Sequence, residues 1–323
     1  MKVILALIIF CIVLFLYLHL QYHLKTSDDL EVYTIDNPSK DKLEEICDLR
    51  QPVTFEYNID NDKLDKEKII SSFGAFDLKI RDCQDVDNYS LPVSYKVALK
   101  LFSDDTNKRY FTENNLEFLK ETGLIKIIQY HDAFLRPPMV SNCYYDLLYG
   151  SNETTTSFRY ELNYRTYFYV KKGYIQLKLA PPKYSKYLYT SKDYNNFEFK
   201  SLINPWNVSP QYRQDFDKIK CLDMKIHENA IIYIPAYWWY SIKFNSDSEL
   251  ISMKYRTYMN NLAISPHILI SLLQKQNNKN SLVKKLTHVE PLIQSPNENL
   301  PNVESTSSKE TNEKNKKLNE ENM

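Results

Sequence analysis

Glycine is nearly missing from this chain of 323 residues: Gly74, Gly123, Gly150 and Gly173 are all it has. Loops that wrap a phosphate need glycine so that backbone N–H groups can approach closely, so a dinucleotide fingerprint and a P-loop are both excluded. Clustered cysteine is missing too. Cys11, Cys47, Cys83, Cys143 and Cys221 are widely spaced, with no C-x-x-C and no Cys–His run. That argues against a zinc cage and gives no sign of a disulfide framework. The six histidines include no pair two or three residues apart. Excess charge of either sign is absent: 41 basic side chains balance 41 acidic ones. No net field therefore draws the chain to nucleic acid. The chain also lacks a G-x-S-x-G elbow, an H-E-x-x-H helix and an EF-hand loop, and its scattered carboxylates form no acid/base pair that a sequence can place in one cleft.

What is present begins with one long apolar run. Val3 to Leu20 is apolar apart from His19, and at helical rise it spans about 27 Å, close to the hydrocarbon thickness of a bilayer. No small-residue cleavage pattern follows, so the run reads as an uncleaved anchor rather than a signal peptide. The flanking charges are nearly balanced and leave the topology open. The expected organisation is an anchor at 1–25, a polar tether at 26–31, one domain at 32–276, and a tail at 277–323. The tail is rich in Asn, Glu, Lys, Ser and Thr and buries too little apolar surface to order itself. The central stretch is long enough for one sizeable core.

Within the domain, helices are expected at 40–49, 63–73, 114–124 and 264–276, and strands at 53–57 and 93–102. From Cys143 to Tyr258 short aromatic and β-branched runs alternate with polar turns, the pattern of an antiparallel sandwich or jelly roll. Residues 158–170 alternate, which would put Arg159 and Glu161 on one face of a strand, with Tyr167 and Tyr169 on one side and Phe168 and Val170 on the other. Two of the three tryptophans, Trp238 and Trp239, are adjacent in IIYIPAYWWYSIKF (231–244). They read first as core packing, with one of them a candidate pocket wall.

The stretch from Tyr145 to Pro182, the Lys172-Gly173-Tyr174 turn, and the Trp-Trp pair after an Ile-Pro step together resemble the JmjC/cupin-like family of oxygenases, the branch that includes asparaginyl hydroxylases. The opening at 32–53 is similar to that family as well. The resemblance covers about residues 32–262. It implies a mainly β fold with flanking helices, a double-stranded β-helix (jelly-roll or cupin) barrel, here preceded by one transmembrane helix. It also implies where Fe(II) would sit: a histidine nine residues after the glycine that aligns with Gly150, an acid two residues on, and a histidine directly after the Trp-Trp pair.

Those positions hold Arg159, Glu161 and Tyr240. A guanidinium offers no lone pair and a neutral phenol is a poor ligand for Fe(II). Thr156 matches a cosubstrate-binding threonine of the family, whereas Ile175 stands where some members have a lysine for 2-oxoglutarate. The reading is a degenerate metal site closed by an Arg159–Glu161 ion pair and the Tyr240 hydroxyl, with Thr156, Tyr167, Tyr169, Trp238 and Trp239 as pocket candidates. No cofactor and no metal ligand is expected. Three alternatives stay open. The first is an active Fe(II)/2-oxoglutarate hydroxylase with unorthodox ligands, including a displaced site built by Glu161 with His131 or His227. The second is a pocket that takes a small anion or glycan through Arg159. In the third, Arg159 and Glu161 merely face solvent. The main expectation is a non-catalytic binding or assembly module, on a membrane through residues 3–20, with an unidentified protein partner and no nucleic acid. The helix at 264–276 either pairs two copies or packs on its own barrel. Similar domains in large DNA viruses make a virion or host membrane the expected location.

Overall fold

A computed structural model of the chain describes residues 1–59, 62–85 and 89–277. The polar tail from 278 onward lies outside the described residues. The first helix, α1 (Lys2–Leu24), has a mean hydropathy of 3.0 over its most apolar window and is solvent-exposed along it. It is long and apolar enough to cross a membrane. Its end is fastened to the domain. His23 is buried, with Nε2 3.2 Å from the Thr257 hydroxyl, and the Arg50 guanidinium lies over both Tyr22 and Tyr164. Residues 26–31 run along the domain, where Asp28 accepts from the Lys183 backbone and ammonium and Asp29 accepts from Gln51.

The first strands are β1 (Tyr33–Ile35), β2 (Val53–Glu56), β3 (Asp77–Asp82), β4 (Ser90–Ser94) and β5 (Tyr110–Thr112). Between them lie α2 (Lys40–Cys47), α3 (Lys66–Phe73) and α4 (Tyr95–Asp104), with α5 (Leu116–Glu121) and α6 (Leu124–His131) after β5. Ser39 caps α2 by accepting from Lys42 N. Gly123, at φ +73°, separates α5 from α6, so the helix expected over 114–124 is the shorter α5, and a second helix, α6, follows it. The expected strand at 93–102 is largely α4. Its apolar residues do alternate, but Tyr95, Ala98 and Phe102 are the ones buried, and that spacing is helical.

The β-rich region follows as β6 (Val140–Leu148), β7 (Arg159–Tyr160), β8 (Arg165–Lys172), β9 (Tyr174–Ala180), β10 (Thr190–Asp193), β11 (Glu198–Ser201), β12 (Leu222–His227), β13 (Ala230–Pro235), β14 (Trp239–Phe244) and β15 (Glu249–Thr257). The short helix α7 (Arg213–Phe216) precedes β12, and α8 (Tyr258–Ala263) and α9 (Ser265–Asn277) close the described chain. One six-stranded sheet has the order β1-β2-β13-β8-β15-β6 and the other β10-β11-β7-β14-β9-β12. A small sheet, β4-β3-β5, stands beside them.

Strand alternation sorts the core into layers. Phe168 and Val170 of β8 and Ile232 and Ile234 of β13 meet Leu177, Tyr240, Ile242 and Phe244 of the second sheet. The opposite residues, Tyr167, Tyr169, Ile231 and Tyr233, pack under the helices α2 to α6. The two sheets therefore face each other over a mostly apolar interior. Gly150 is required at its edge: a Cβ there would stand 2.5 Å from Phe244 Cγ, and Phe244 is fixed in the interior. Gly150→Ala is expected to lower stability by about 1–3 kcal/mol, read as a shift in the urea midpoint; an unchanged midpoint would contradict this close approach.

Candidate functional site

The expected single strand over 158–170 is broken. Strand β7 ends at Tyr160, and the chain turns through 161–164 before β8 begins in the other sheet. The turn is held because Tyr237 N donates to the Glu161 carbonyl. Alternation persists across it because Phe158 and Leu162 bury against two separate apolar clusters. Arg159 and Tyr240 sit directly opposite each other on β7 and β14.

Arg159, Glu161 and Tyr240 do converge, but not through the expected Arg159–Glu161 pair. Arg159 Nη1 donates to Glu113 instead. Glu161 Oε1 accepts from the Tyr240 hydroxyl at 3.1 Å and from Lys254 Nζ at 2.6 Å, while its Oε2 accepts from Asn163 at 3.0 Å. The ion pair shifted because Glu113 enters from the end of β5. There Asp146 grips the next two backbone amides, Asn114 N at 2.6 Å and Asn115 N at 2.8 Å.

Glu113 is the hub of a larger network. Arg81 Nη1 donates to Glu113 Oε1 at 2.7 Å and forks onto both oxygens of Glu198. Lys200 Nζ lies 2.6 Å from Glu198 and 3.8 Å from Glu113. Burial works to raise the Glu113 carboxyl, but Arg159, Arg81 and Lys200 outweigh it and hold it at about 2. Burial likewise opposes ionisation of Arg159 and Lys254, and the carboxylates of Glu113 and Glu161 respectively overcome it, raising both. Burial and the nearby Glu161 charge push the Tyr240 phenol well above its ordinary value. At Asp146 burial outweighs the Asn115 and Asn114 amides and the Lys254 charge and lifts the carboxyl to about 6.

Glu113, Arg159, Glu161, Glu198, Lys200 and Lys254 line a cleft of about 350 Å³, together with Tyr144, Asn163, Phe197, Arg256 and residues of α9. Behind it, between the sheets, a chamber of only about 20 Å³ is lined by Thr156, Phe168, Tyr240, Ile242 and Lys254. That is room for about one water. Thr156 Oγ1 accepts from Ile242 N at 2.9 Å, so its hydroxyl ties β14 to the preceding loop. Tyr167 and Tyr169 do not line either cavity. They lie on the other face of β8, where Tyr167 OH is 3.6 Å from Cys47 Sγ and Tyr169 OH reaches Ile59 N and Asn229. Trp238 is buried between the sheets, and Trp239 on the opposite face donates Nε1 to Ser185 Oγ. His131 and His227 are not among the lining residues. Among the described residues, no group of three or more His, Cys, Asp or Glu side chains is placed to hold a metal ion.

Sequence reasoning missed Glu113, Arg81, Glu198, Lys200, Lys254 and Arg256. One signal was available. Ser252, Lys254 and Arg256 alternate with Met253 and Tyr255, so one face of a strand otherwise built for a core is charged. Glu113→Gln is expected to cost about 3–5 kcal/mol at neutral pH by leaving buried cations short of charge. Because folded Glu113 titrates near about 2 rather than at the ordinary 4.5, its stabilisation is complete above 4.5 and is lost as pH falls toward 2. Urea midpoints measured against pH should therefore show a shallower acid limb in the variant; an unchanged limb would contradict the pairing.

The family model described as cupin-like domain matches residues 81–261, from the end of β3 through β15 into α8, with β1 and β2 outside the match. No curated protein matches the chain.

Proposed function

We propose that this chain, which belongs to the cupin-like domain family, is a membrane-anchored binding or assembly module without oxygenase chemistry. The two facing sheets are read as the halves of a double-stranded β-helix, and α1 as the anchor that holds it at a bilayer. The virus-borne domains it resembles suggest a virion or host membrane. Fold alone does not carry activity, so the proposal rests on the site.

The observation that carries it is the engagement of Arg159 with Glu113. Fe(II) in such folds takes two imidazoles and a carboxylate. Here one imidazole position holds a guanidinium with no lone pair, spent on an acid from another strand. The second holds a phenol that keeps its proton and donates it to Glu161. The remaining carboxylate already accepts from Tyr240, Lys254 and Asn163. These residues do not fit the iron centre of the family. The small chamber and the Thr156 hydroxyl, already bonded to Ile242 N, support the same reading.

The full chain, purified in detergent micelles and supplied with Fe(II), 2-oxoglutarate and oxygen, is expected to retain no stoichiometric iron and to form no succinate above a protein-free control. Stoichiometric iron with coupled succinate formation would overturn the proposal in favour of a hydroxylase with unorthodox ligands.

A further inference from the structure

The cations of the cleft differ in one respect. Arg159 is held by Glu113, Lys200 by Glu198 and Lys254 by Glu161. Among the described residues Arg256, half-buried on β15, has no such acid; neither has Lys275 of α9, but that side chain is exposed to solvent. Arg256 Nε donates to Asn163 Oδ1 at 2.7 Å, the one hydrogen bond its side chain makes among the described residues. The guanidinium lies over two aromatic rings, with Cζ 5.1 Å from the Tyr144 ring centroid and 4.7 Å from that of Phe197. Burial is the main influence on it and lowers its affinity for its proton, against weaker help from Tyr144 and Glu161. A charge in that setting gains most from a partner of opposite sign.

We infer that the outer cleft is a carboxylate-binding site in which the terminal nitrogens of Arg256 take the carboxylate edge-on, beside Tyr144 and Phe197. The inference rests on reading the domain as a binding module, and it places an anion at a different residue from the alternative that put one at Arg159. Two features select this ligand chemistry. A guanidinium held by its Nε and lying over two aromatic rings has its Nη edge left for the two oxygens of a planar carboxylate. The cleft is also lined by the amides Asn114, Asn163 and Asn196 beside aromatic rings, a surface suited to an acid carried on an organic body. That acid is either free or the side chain of a polypeptide.

Calorimetric titration of the full chain in micelles tests this with three probes: acetate, the capped tripeptide Ala-Glu-Ala, and its Ala-Gln-Ala counterpart. A carboxylate probe is expected to bind, the glutamine peptide at least tenfold more weakly than the glutamate peptide, and Arg256→Gln to weaken the carboxylate at least tenfold. If the tripeptide exceeds acetate tenfold, the source is a polypeptide; if the two are equal, it is a free acid. Arg256→Lys, which keeps charge and stem, guards against misfolding and is expected to lose most of the affinity with an unchanged melting temperature. Equal binding by wild type and Arg256→Gln, or no binding of either carboxylate, would overturn the inference. Adding Fe(II) separates the two levels: carboxylate binding that appears only with iron contradicts the non-catalytic reading, whereas failure without any iron dependence sinks the Arg256 site alone.

Discussion

A buried carboxylate, Glu113, shared between two arginines from different sheets is the constraint on which the rest of the site depends. Taking a carboxylate out of water is costly, and only well-placed opposite charges and hydrogen bonds recover the cost. Arg81 brings the small sheet, Arg159 the second six-stranded sheet, and Lys200 its neighbouring strand. The network thus ties three pieces of the fold at one point. It also decides what Arg159 can do. A guanidinium already pointed at Glu113 is not free to answer Glu161, so Glu161 draws its charge from Lys254 and its proton donor from Tyr240.

Consequences run outward from there. The chamber between the sheets is reduced to the size of a water because Tyr240 and Phe168 close it, their rings 5.3 Å apart. Polar capacity lies instead in the outer cleft, where charged residues of β7, β11 and β15 meet α9. The interior between the sheets is thus closely packed, as interiors generally are, and the charged side chains lie at its mouth. The end of α1 is locked to Thr257, the residue after Arg256, so the cleft's last strand also holds the apolar N-terminal helix.

Much of this architecture was legible beforehand for simple reasons. The run Val3–Leu20 has a length and composition that few other elements share. Strands such as Ile231–Ile234 and the stretch around Trp239 carry β-branched and aromatic residues between turns, and these are strands in the structure. The residue types at 159, 161 and 240 raised the right question. The answer was hidden because it depends on topology. Glu113 lies 46 residues before Arg159, in a turn with no periodic mark, and only the pairing of β5 with β3 delivers it. The 158–170 alternation misled because two different clusters bury its apolar residues on either side of a turn. At 95–102 a two-residue rhythm and a helical one coexist, and burial of Tyr95, Ala98 and Phe102 decided between them.

The central claim is that Arg159 serves Glu113. A double-mutant cycle on Glu113→Gln and Arg159→Gln, followed by urea unfolding in micelles, measures that link directly. The account predicts a coupling of about 2–3 kcal/mol between the two sites. Additive effects, with coupling within about 0.5 kcal/mol of zero, would contradict it.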